Sequence, residues 1–69
     1  MNEAVTKARA VKRDLEYCKN GRGCVAYEVW YYTQKSSGGM MENFFIVYEG
    51  EVNGRYWNLA QHIAGKLNN

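Results

Sequence analysis

The segment from Cys24 to Tyr48 constrains the fold of this chain more than any other stretch. It reads CVAYEVWYYT, then QKSSGG, then MMENFFIVY. Both flanking runs are rich in Val, Ile, Tyr, Phe and Trp, the residues that fit a pleated, half-buried surface. The polar loop between them ends in two glycines, which supply the positive φ that tight returns need. A β-hairpin is the expected structure, with strands at Cys24 to Thr33 and from about Met40 to Tyr48, the second continuing to Val52 if Gly50 forms a bulge or bend. Large apolar side chains occupy both alternating registers of these strands. A hairpin needs one apolar face for a core, so the second face needs some other cover.

Cross-strand neighbours share a face, and a slip of one residue exchanges the faces. Placing Val29 opposite Phe44 gives an inward set of Val25, Tyr27, Val29, Tyr31, Phe44, Ile46 and Tyr48. The reverse face then holds Ala26, Glu28, Trp30, Tyr32, Asn43, Phe45 and Val47. Glu28 and Asn43 among large aromatic groups give that face the mixed character of an interaction surface. Trp30, Tyr32, Phe45 and Val47 are its candidate contact residues.

The flanking segments read as follows. From about Glu3 to Lys19, the positions Ala4, Val5, Ala8, Val11, Leu15 and Cys18 recur at three- and four-residue spacing, which predicts an amphipathic helix. Asn2 is its expected cap and Asn20-Gly21 its expected stop. Asn53-Gly54 is a preferred dipeptide of a type I′ turn, so a short third strand is expected at Arg55 to Trp57. Asn58 with Gln61 resembles a capping box. It predicts a last helix from Leu59 to about Leu67, with Leu59, Ala60, Ile63, Ala64 and Leu67 inward and Gln61, His62, Gly65 and Lys66 in water. The expected fold is α+β in the order αβββα. A three-stranded antiparallel sheet carries both helices on one face, in a single compact domain spanning residues 1–69.

Size and charge narrow the function. A chain of 69 residues builds a core that is only marginally stabilising, so a second burial event such as self-association helps it. The net charge is +2, with cations and anions interspersed. That permits contact with nucleic acid without arguing for it. The opening MNEAVTKARAVKRD lacks the apolar region of a secretory signal, and no apolar run approaches the roughly 20 residues of a membrane span. A cytoplasmic location is expected, with no membrane partner. Cys18 and Cys24 are then expected to be reduced; a disulfide between them is geometrically conceivable across the turn that joins their segments and would require an oxidising setting.

Chemistry has little to stand on. Structural zinc normally takes four ligands, and Cys18, Cys24 and His62 do not make that set. A Cys–His nucleophile pair needs a cleft that a chain of this size rarely forms. Glu49 and Glu51 flank Gly50 without an obvious acid–base role, and NGRG and SSGG lack phosphate-loop spacing. No catalytic residue, metal or cofactor is expected, and the protein is read as a non-enzyme.

Two functions follow from the surface. The first is a small binding protein that acts on a protein partner, or on a second copy of itself, through the aromatic sheet face. Its size is that of regulators and inhibitors encoded by phages and other mobile elements. The second is nucleic-acid binding, with Arg9, Arg13, Lys35 and Arg55 as phosphate contacts. For this second reading, the αβββα order and the stretch FIVYEGEVNGRYWNLAQHIAGKL are similar in topology to the double-stranded RNA-binding domain. That resemblance implies contacts from the first helix, the loop after the first strand and the start of the last helix. Those regions map to Arg9 and Arg13, Lys35 to Gly39, and Arg55 to Asn58. The loop here is QKSSGGMM instead of the family's Gly-Pro-x-His pattern. RYWNLAQ stands where the family has a lysine cluster.

Overall fold

The fold is taken from a computed structural model, which describes residues 5–15 and 23–68. The order of elements is β1 (Val5–Leu15), β2 (Cys24–Gln34), β3 (Met40–Glu51) and α1 (Gly54–Leu67). The strands form one antiparallel sheet in the order β1-β2-β3. The architecture is therefore βββα, and the expected αβββα order with two helices on the sheet is corrected. The broader assignment to a small α+β protein holds.

The central hairpin forms as its sequence suggests. β2 ends at Gln34 and β3 starts at Met40. Between them the Lys35 backbone N–H donates to the Gly39 carbonyl at 3.0 Å, and that of Gly38 donates to the Lys35 carbonyl at 3.1 Å. Gly38 and Gly39 take φ of 85° and 96°, a region that glycine enters without steric cost.

The expected first helix is a strand. Its outer ends, at Glu3 and Ala4 and from Glu16 to Lys19, and its proposed cap and stop, lie outside the described residues. Part of the reason is a bulge, and the rest is that Val11 and Leu15, which complete the helix-like spacing, lie on the opposite face of the strand. Pairing with β2 shifts between Thr6 and Arg9, and Lys7 there has φ 56°. The irregularity inserts a step into the alternation, so Val5, Ala8 and Ala10 all pack on the core side. Apolar positions three apart then look helical although the chain is extended.

The other end is also rearranged. Asn53-Gly54 makes no hairpin turn, and no third strand occurs at Arg55 to Trp57. Asn53 is the cap of α1, with φ −150°, and its side chain accepts a hydrogen bond from the Arg55 backbone N–H. Asn serves a helix N-cap as well as a turn. Here the competition is settled by Tyr27, whose hydroxyl accepts the Asn53 backbone N–H at 2.9 Å.

Helix α1 lies on one face of the sheet. Ala8, Val25, Tyr27, Val29, Ala60 and Ala64 form the buried cluster, with Tyr31, Val47, Tyr48, Trp57, Ile63 and Leu67 packed against it. Two alanines let the helix approach the strands closely. At its start, Tyr27 packs on Tyr48 and Trp57, and Tyr48 stacks on Tyr56 at 4.1 Å. A Cβ added at Gly50 would come within 2.7 Å of the Tyr48 hydroxyl, so that aromatic stack depends on a glycine. At its end, the Asn68 amide clamps β1 at the bulge. Its Oδ1 accepts the Ala8 N–H at 2.8 Å, and its Nδ2 donates to the Ala8 carbonyl at 2.7 Å.

The hairpin register differs from the expected one. Val29 lies opposite Phe45, and Tyr27 lies opposite Tyr48, with a shift between Tyr27 and Glu28. β3 thus carries an extra residue at Val47. Before the bulge the alternation of β3 is inverted, so Phe44 and Ile46 point away from the helix and Phe45 points toward it. After the bulge Tyr48 recovers the inward position expected for it.

Candidate binding face

The sheet face opposite α1 is laid out by the pairing as rows across β1, β2 and β3. They are Thr6–Tyr32–Glu42, Arg9–Trp30–Phe44, Val11–Glu28–Ile46, Arg13–Ala26–Glu49 and Leu15–Cys24–Glu51, and of these Cys24, Ala26 and Glu28 on β2 are buried. Beyond the first of these, Gln34 pairs with Met40. No helix among the described residues covers this face. Three large apolar side chains of β3 are open to solvent on it, with Met40 50%, Phe44 51% and Ile46 47% exposed.

At the centre sits an acid. Glu28 is 1% exposed, which is expensive for a carboxylate unless it is paired and hydrogen-bonded. Arg13 donates to its Oε2 from Nε at 3.1 Å and from Nη2 at 2.8 Å. The Trp30 indole N–H donates to Oε1 at 2.9 Å. Both carboxylate oxygens are therefore satisfied, and Trp30 is held in a fixed orientation. The Trp30 ring stacks on Phe44, with centroids 4.7 Å apart. The guanidinium of Arg9 lies 6.0 Å from the Trp30 centroid and 5.9 Å from that of Tyr32. Tyr32 in turn donates its hydroxyl to Glu42 at 2.7 Å. The face is thus a rigid aromatic platform set in ionic and hydrogen-bonded braces.

Its charge is asymmetric. β1 reads VTKARAVKRDL and β3 reads MMENFFIVYEGE. On this face β1 presents Arg9 and Arg13, whereas β3 presents Glu42 and Glu49.

The residues singled out from the sequence separate into two groups. Trp30 and Tyr32 lie on the open face. Phe45 lies on the helix side, where it meets Tyr31 at 6.2 Å, and Val47 packs against the core. Phe44, Ile46 and Met40 take their places on the open face. The four cations do not converge. Arg9 and Arg13 stand on the open face of β1, near or bonded to Glu42 and Glu28. Lys35 is at the hairpin end of the sheet, and Arg55 is beside the cap of α1 at the other end. The structural basis for the resemblance to the double-stranded RNA-binding domain is lost with the first helix.

Cys24 is disulfide-bonded, which departs from the expectation of reduced thiols. Cys18 lies outside the described residues. A stable disulfide belongs to an oxidising setting, so the cysteines no longer argue for the cytoplasm. Among the described residues, no three His, Cys, Asp or Glu side chains come together as metal ligands. No helix among them is long and apolar enough to cross a membrane. Comparison with known proteins finds no matching family model, curated protein or solved structure.

Proposed function

We propose that this chain is a small non-catalytic binding protein, of the regulator or inhibitor kind, whose working surface is the open face of the sheet. The observation that carries the reading is the Trp30–Phe44 stack flanked by exposed Met40 and Ile46. Aromatic groups are preferred anchors of protein interfaces because they bury much area with few rotors. A contiguous apolar patch on a small protein tends to mark a binding site. Trp30 adds preorganisation, since its indole is already fixed by Glu28.

The test is capture of partners by the tagged protein from host extract, with and without nuclease treatment. Three proteins are compared: the parent chain, Phe44→Ser with Ile46→Ser, and Met41→Ser with Leu59→Ser as a control on the helix side. A protein recovered with the parent and the control, but reduced at least tenfold with the open-face variant, is the expected result. Recovery that is indifferent to the open-face changes contradicts the proposal. Recovery that vanishes with nuclease favours nucleic acid, a reading to which the cationic β1 lends its support.

A further inference from the structure

The occupant of the open face can be argued from its charge. We infer that the face binds a second copy of the chain, sheet against sheet, about a two-fold axis running along β2. This inference rests on the open face being the working surface. A two-fold interface must be complementary to itself. Two sheets can meet face to face about an in-plane two-fold in two simple ways. An axis across the strands lays β1 over β1 and β3 over β3 with the rows reversed, which stacks the arginines of one β1 against those of the other and the glutamates of one β3 against those of the other. An axis along the strands lays β1 of one copy over β3 of the other and keeps every row at its own level.

In the second arrangement Arg13 faces the row position of Glu49 in the other copy, and the reverse pair forms by symmetry. Arg9 comes over Phe44, one row from Glu42. Val11 comes over Ile46, and the two Trp30 platforms meet near the axis. Cations meet anions at the borders, and apolar groups meet between them. Like charges placed opposite one another are strongly disfavoured, so the charge asymmetry of the two edge strands selects the axis.

Size is consistent with a weak dimer. The face from the Gln34–Met40 pair to the Arg13–Ala26–Glu49 row spans nine positions of β2. At about 3.4 Å per residue and about 4.8 Å between strands, it covers at most on the order of 500 Å² per copy, because Ala26 and Glu28 on β2 are already buried. Two copies then bury at most on the order of 1,000 Å², at the lower limit for a specific interface. Association in the micromolar range is therefore expected.

Sedimentation equilibrium from about 1 μM to about 1 mM tests the inference on the intact chain. The expected result is a monomer–dimer equilibrium that weakens as salt rises. Glu49→Arg should raise the dissociation constant at least tenfold, and so should Phe44→Ser with Ile46→Ser. Lys12→Glu, on the helix side of the same cationic strand, should leave it within about twofold. Circular dichroism confirms that each variant is folded. These positions are solvent-exposed, which keeps the test free of core damage. A chain that is monomeric throughout overturns the inference, as does a dimer indifferent to Glu49→Arg. Either result leaves the capture experiment to decide separately whether the face binds another protein.

Discussion

At the residue scale the molecule turns on Glu28. A carboxylate in the centre of a sheet face, 1% exposed, is destabilising unless both oxygens are engaged. Arg13 and Trp30 engage them, and in doing so they set the orientation of the ring that stacks on Phe44. The arginine itself is half-exposed at 55%, so water can replace part of what it supplies. Arg13→Ala is therefore expected to cost about 1–2 kcal/mol, below the range for breaking a fully buried pair. Arg9 sits 4.0 Å from Glu42 with both side chains well exposed. Arg9→Ala should cost no more than about 0.5 kcal/mol. Urea unfolding of the two variants checks the order, and equal losses would show that Glu28 is not the residue that needs its arginine.

At the element scale, the hairpin was legible and its neighbours were not. The composition of β2 and the paired glycines of the loop report directly on an extended chain and a tight return. The inward residues expected on β2, Val25, Tyr27, Val29 and Tyr31, follow from simple alternation, and Thr33 continues the same face. The errors come from irregular steps. One bulge near Lys7 sets Val5 and Ala8 at a helix-like spacing, to which Val11 and Leu15 add from the opposite face, and another at Val47 puts Phe44 on the open face in place of the expected Phe45. No pattern of residue types marks either site, because a bulge is decided by what packs above it. Asn53 misled for a different reason, since one side chain suits both a turn and a cap.

The clamp made by Asn68 was invisible for a related reason. It bridges β1 and the helix end across 60 positions of sequence. Asn68→Ala removes two hydrogen bonds and leaves the Ala8 amide at the bulge in need of partners. A loss of about 1–3 kcal/mol is expected. Amide exchange should show the loss concentrated in β1 and the last turn of α1. A uniform change along the chain would contradict the clamp.

At the scale of the whole molecule, the fold leaves one face of the sheet without a helix among the described residues, as the expected two-helix fold also did. One helix covers one face of a three-stranded sheet, and the other face carries Trp30, Phe44, Ile46 and Met40. A core of this size has little stability to spare, so covering that face would contribute to stability as well as to function. The charges at the borders of the face then say which copy-to-copy arrangement is compatible with it. The most direct test that the open face binds a second copy of the chain is a side-chain NMR spectrum followed over concentration. The Trp30 indole and the Ile46 and Met40 methyl signals should move together as concentration rises, while those of Leu59 and Ile63 on α1 stay in place. Movement confined to the α1 signals, or no movement on the open face up to about 1 mM, would contradict the account.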